Sequence, residues 1–140
     1  MTAVWTSITT SLALTGGGVD PSAVDRSLGL AQLAEQQTGA SIRHGPGWWA
    51  YTLDEHFSAD LGEQVAALTA QVGPRLDELR ELSAAGCFAQ VSIAGTVRAD
   101  ERLTLSPESA DRLAALGLPV SFTTRLEGDT ASEDPLDWLD

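Results

Sequence analysis

Apolar and polar residues alternate along several stretches of the chain, the signature of strands with one face buried and one in water. Over residues 4 to 15, Val4, Ile8, Leu12 and Leu14 share one side, and Trp5, Ser7, Thr9, Ser11 and Ala13 share the other. Residues 48 to 54 sort into Trp49, Tyr51 and Leu53 against Trp48, Ala50 and Thr52. Residues 87 to 97 place Cys87, Ala89, Val91, Ile93 and Val97 opposite Phe88, Gln90 and Ser92. RLTL, 102 to 105, predicts a short strand, and VSFTTRL, 120 to 126, a final one with Val120, Phe122 and Leu126 inward. Residues 31 to 47 show no period and predict irregular structure.

A different period runs from 60 to 85. Leu61, Val65, Leu68, Val72, Leu76, Leu79 and Leu82 recur at steps of three or four, a core-facing stripe on a long helix. Gly73-Pro74 should kink or split it, because proline removes a backbone donor and clashes with the preceding turn. Two shorter helices are framed by caps. Asp20-Pro21 opens one that Gly29 ends, with Val19 and Val24 spaced as a hydrophobic staple. Ser106-Pro107 opens another that Gly117 ends. The segments VDPSAVDRSLGL (19 to 30) and LSPESADRLAALGL (105 to 118) echo each other, either because good caps look alike or because a strand-helix unit is duplicated.

This mixture of alternating strands and amphipathic helices predicts an α+β fold, a largely antiparallel sheet with helices packed on one face, as in a ferredoxin-like sandwich. The other face is then open. It carries Trp5, Trp48 and Phe88 among Ser and Thr, with Arg125 as its one base. The stretch RHGPGWWAY makes the division concrete: neighbouring side chains on a strand point to opposite faces, so Trp49 belongs to the core and Trp48 to the open face.

With 140 residues and 43% hydrophobic content, one domain over 1–127 is expected, followed by an acidic, disorder-prone tail over 128–140. Net charge is −12, with eight basic residues that are all arginine and no lysine or asparagine. That excludes lysine Schiff-base chemistry and argues against nucleic acid, whose phosphates need a basic stripe. No stretch is apolar for long enough to span a bilayer, and a lone cysteine permits no intrachain disulfide; a soluble cytoplasmic protein is expected.

No catalytic constellation, metal site or cofactor emerges. GGGVDPS has the shape of a phosphate loop but lacks its Lys-Ser/Thr, and Asp20 would oppose an anion. His44 and His56, twelve residues apart, lack zinc-site spacing and read as surface residues. Cys87 falls on the apolar side of its strand, where thiols are inert. Asp77, Glu78 and Glu81 read as an outward face with Arg75 and Arg80 as partners.

The succession LALTGGGVDPSAVDRSLGL, GWWAYTL, the broken helix with VGPRLDELREL, and LTLSPESADRLAALGLPVSF resembles the bacterial domain-of-unknown-function 4279 family over roughly residues 7 to 126. The resemblance implies a small protein with these elements in this order and transfers no catalytic residue. Where members carry Trp followed by a basic-Gly-Asp-like turn, this chain has AEQQTGAS, Ala34 to Ser41. Members are similar in size to immunity proteins that neutralise bacterial toxins.

The expected function is therefore non-enzymatic protein binding: an immunity-like inhibitor of a basic toxin domain, or a homodimer, using Trp5, Trp48, Phe88, Arg125 and Trp138. The alternative is a ligand-sensing or regulatory domain with a pocket near the 39–48 loop and Arg43, His44 and Trp48 as its contacts.

Overall fold

The computed structural model describes residues 6–97 and 104–126. Five strands form one sheet: β1 (Thr6–Thr15), β2 (Ala40–Gly45), β3 (Trp48–Leu53), β4 (Phe88–Val97) and β5 (Val120–Leu126), in the order β2-β3-β1-β4-β5. The pairs β2–β3, β3–β1 and β1–β4 are antiparallel, and β4–β5 is parallel. The fold is α+β with a mostly antiparallel sheet, as the alternation predicts.

The helices are α1 (Pro21–Leu28), α2 (Leu30–Gln36), α3 (Leu61–Val72), α4 (Leu76–Ala84) and α5 (Pro107–Leu116). The long leucine stripe does divide: Gly73–Arg75 form a single 3-10 turn between α3 and α4. Each capped start works as its side chain allows. Asp20 Oδ1 accepts from the Ser22 amide, Asp60 Oδ2 from Glu63 and Ser106 Oγ from Ser109, each satisfying a first-turn donor that the helix itself cannot. Gly29 and Gly117 both end their helices at positive φ, 66° and 69°, where a Cβ would be strained.

Residues 31 to 47 are not irregular. They contain most of α2 and all of β2, which pairs with β3 across a Gly45-Pro46-Gly47 turn. Ser-Ile-Arg-His alternates too briefly to be noticed, and β2 is an edge strand whose side chains are mostly exposed. In the predicted RLTL strand, Arg102 and Leu103 lie outside the described residues, and Thr104 and Leu105 belong to no strand.

The core lies on one side of the sheet. Leu12, Tyr51 and Val91 form one row across β3, β1 and β4; Leu14, Trp49 and Ala89 form the next. All six are buried together with Val24, Leu28, Leu30, Val65, Leu68, Val72 and Leu79 from the helices. Burial of this apolar area is the main stabilising term, roughly 1.5 to 3 kcal/mol per large side chain. Phe122 departs from the expected pattern. It aligns with buried Ile93 and so faces the helix side, but it is 49% exposed because it sits on the last strand of the sheet.

Polar atoms on the covered face are matched by helix side chains. The Trp49 indole Nε1 donates to Asp25 of α1 at 2.9 Å, and the Tyr51 hydroxyl donates to Gln71 of α3 at 2.6 Å. Gln64 of α3 is fully buried: its Oε1 accepts from Thr10, and its Nε2 donates to the carbonyls of Ile8 and Ser58. Ile8 stands outside both strand registers, at a bulge where Ser7 takes a φ of 53°. Gln64 thus supplies the partner that the bulge removes. Arg75 is not an outward ion-pair partner either; it is half-buried and donates to the carbonyls of Leu28 and Gln71. Arg80 does pair with Asp77, at 2.6 Å on the exposed surface, where such a bridge is worth little.

Candidate functional site: the open sheet face

The side of the sheet away from the helices is built from the alternate residues of the same strands. Thr15, at the end of β1, aligns with Trp48 on β3 and with Phe88 on β4. Two aromatics therefore stand on one face two strand spacings apart, about 10 Å between their Cα atoms. They are 39% and 52% exposed, large values for such side chains on a sheet.

Three turns converge at this end of the sheet. The Gly16 amide donates to Gly47 of the β2–β3 turn, and the Gly16–Gly18 segment presses against Ala85 and Gly86 before β4. A Cβ on Gly18 would strike the Ala85 carbonyl and one on Gly16 the Gly86 carbonyl, so the first and third of these glycines are a packing requirement, while Gly17 has open space around it. The indole of Trp48 leans outward over Gly45: a Cβ there would strike its Nε1. Trp48 thereby covers the backbone of an edge glycine, a use of aromatics known to stabilise exposed strands.

The next row holds Arg43, Ala50, Ala13 and Gln90, a low floor beside the two aromatics. The row after that holds Ser41, Thr52, Ser11, Ser92 and Ser121, one hydroxyl from each of the five strands. Ser11 and Thr52 are hydrogen-bonded at 2.8 Å. Neither row contributes to the buried cluster. The five strands contain no acidic residue, so every carboxylate among the described residues lies on helices and loops. The face carries arginine at both edges, Arg43 on β2 and Arg125 on β5; both are exposed, and Arg125 is already engaged within the chain.

The predicted partner-binding residues are thus brought together in part. Trp48 and Phe88 share one end of the face, and Arg125 lies at the far end of β5. Trp5 and Trp138 lie outside the described residues. Ser41, Arg43 and Gly45 belong to the face only because β2 is a strand; the alternation of ASIRHG is the available signal.

The residues of the ligand-sensing alternative are divided by the sheet. Arg43 aligns with Ala50 on the open face, whereas His44 aligns with Trp49 on the helix side. Residues 39–48 form a hairpin, and the clefts of about 410 Å³ (between the starts of α3 and α5) and about 290 Å³ (between α4 and α5) are lined by none of them. Cys87 is buried, and desolvation pushes its thiol pKa up, the opposite of what a nucleophile needs. His56 sits beside Asp54 at 3.2 Å on the exposed surface. Among the described residues no three His, Cys, Asp or Glu side chains converge to hold a metal, and no helix is long and apolar enough to cross a membrane.

No curated protein and no solved structure matches the chain significantly. A family model does match, over residues 6–127, and its span takes in all five strands and all five helices of the described residues. The chain belongs to the family of the domain of unknown function DUF4279.

Proposed function

We propose that this chain is a non-enzymatic protein-binding module that meets its partner with the open sheet face, and that it acts as an immunity-like inhibitor of a toxin domain. The pair Trp48 and Phe88 carries the reading. Exposed aromatics on a rigid sheet are favoured interface anchors, since they bury much area with little side-chain entropy to lose. The architecture is read as a ferredoxin-like sandwich. The order β2-β3-β1-β4 with its antiparallel pairings supports that, with α5 and β5 as an added unit.

The charge distribution gives the two surfaces different work. The strands offer a carboxylate-free contact face, the acids among the described residues lie on helices and loops, and the whole chain carries a net charge of −12. A field of that sign steers a basic partner into encounter, and the aromatics then hold it. The same charge disfavours nucleic acid and anionic membranes. A cytoplasmic setting fits the lone buried cysteine.

The test is neutralisation of the product of a toxin-like gene adjacent to this one, in cells expressing both. Wild type should protect and co-purify with the toxin, and Trp48→Ala with Phe88→Asp should abolish both effects. Undiminished protection by the double variant overturns the role of the face. Loss of a wild-type dimer in the same variant, seen by sedimentation, assigns the face to self-association instead.

A further inference from the structure

The helix layer does not close over the fifth strand. Val120 packs against the core, but Phe122, the next residue on the same side of β5, is 49% exposed. α5 leans on α3. Between α4 and α5 this leaves a groove of about 290 Å³ lined by Leu76, Leu79, Leu116 and Leu118, with the exposed Arg80 and Ser83 beside them. Leu76 and Leu118 are only half-buried, so groove and Phe122 together present uncovered apolar surface along one side of β5.

We propose that the chain's own C-terminal segment occupies this groove, with Leu136, Trp138 and Leu139 against its leucines and Phe122. Reach permits it. β5 ends at Leu126, and going back along the strand to Leu118 spans eight residues, about 26 Å. The ten residues from Leu126 to Leu136 extend to about 33 Å. Composition fits as well. The sequence EGDTASEDPLDWLD has large apolar residues only near its end, spaced among acids and with no base. Arg80 is the one cation among the groove's lining residues, and its partner Asp77 is an exposed one that an aspartate of the tail can replace. The groove lies on the helix side, so this docking leaves the open face free and stands or falls independently of the protein-binding role.

The test is nuclear Overhauser contacts from the Trp138 ring in the full-length protein, with the ring assigned by Trp138→Phe. Contacts to the methyls of Leu76 and Leu118 and to the Phe122 ring are expected, weakened at least twofold by Arg80→Glu. Contacts to Thr15 or Phe88 would move the tail to the open face and overturn the proposal. So would random-coil shifts with no long-range contact, or contacts seen only between differently labelled copies in a mixed sample.

Discussion

Trp48 and Trp49 are neighbours in sequence with opposite surroundings, and the two faces of the sheet differ in the same way. Trp49 is fully buried, and its one polar atom is met by Asp25 from a helix; Trp48 is substantially exposed, and its indole rests on the backbone of Gly45. On the covered face each buried polar group has a partner reaching in from the helix layer: Asp25, Gln64 or Gln71. On the open face hydroxyls pair along the sheet, as Ser11 does with Thr52, and the aromatics Trp48 and Phe88 stand 39% and 52% exposed. A side chain that a helix must satisfy is committed to folding. One that the sheet alone supports is available for contact.

The largest way to break this contrast is at the covered face. Trp49→Ala should cost about 3 to 5 kcal/mol in urea unfolding, because a large void opens among residues that are already fully buried. Next comes the polar bridge. Gln64→Leu keeps the volume but leaves the Ile8 and Ser58 carbonyls and the Thr10 hydroxyl without their partner, an expected loss of about 1 to 3 kcal/mol. Adding Thr10→Val should return part of that loss. A double variant no better than Gln64→Leu would mean that the two carbonyls carry the whole cost.

Tyr51 adds a pH dependence. Burial raises its pKa above the usual 10.0, against the opposing pull of the Arg75 charge. Only the unfolded chain then ionises readily near pH 10, so unfolding releases a proton there. Tyr51 supports the native state fully below that pH, and the support is lost as pH rises toward the folded pKa. Tyr51→Phe should cost about 1 kcal/mol at neutral pH for the lost hydrogen bond, and the deficit should shrink in unfolding curves taken above pH 10. Cys87, also raised by burial, loses its support above its own ordinary value of 9.0 in both proteins and cancels from the difference.

How much of this is legible from sequence depends on how strongly each signal stands alone. The strands with a core face and the caps at Asp20 and Ser106 are readable, since each rests on local spacing. The echo of 19–30 and 105–118 is readable as matching caps and left-handed glycine ends, but the path of the chain beyond those glycines is not: Gly29 leads straight into α2, whereas Gly117 and Leu118 lead through Pro119 into β5. The edge strand β2 escapes notice because its helix-side residues Ala40 and Ile42 are only half-buried and the third, His44, is exposed, which leaves the alternation short and weak. Gln64 lies between stripe positions 61 and 65, and only the bulge at Ile8, a tertiary event, gives a glutamine reason to be buried there. Phe122 has the right parity for the core; that no helix covers it cannot be seen in a period of two.

The smallest effect on stability belongs to the open face, and it sharpens the comparison most. Phe88→Asp changes a half-exposed side chain at the start of β4, in a row whose neighbours on the next strands, Thr15 and Trp48, carry no charge. Its unfolding free energy should stay within about 0.5 kcal/mol of wild type. Trp48→Ala should cost somewhat more, about 1 kcal/mol, because it uncovers Gly45 as well as removing an exposed ring. Both variants should lose partner binding or self-association in titration calorimetry or sedimentation, by tenfold or more for an anchor worth about 1.4 kcal/mol. A Phe88→Asp protein that unfolds as easily as Trp49→Ala would show that the open face, too, is committed to folding, and the division of labour between the two faces would be lost.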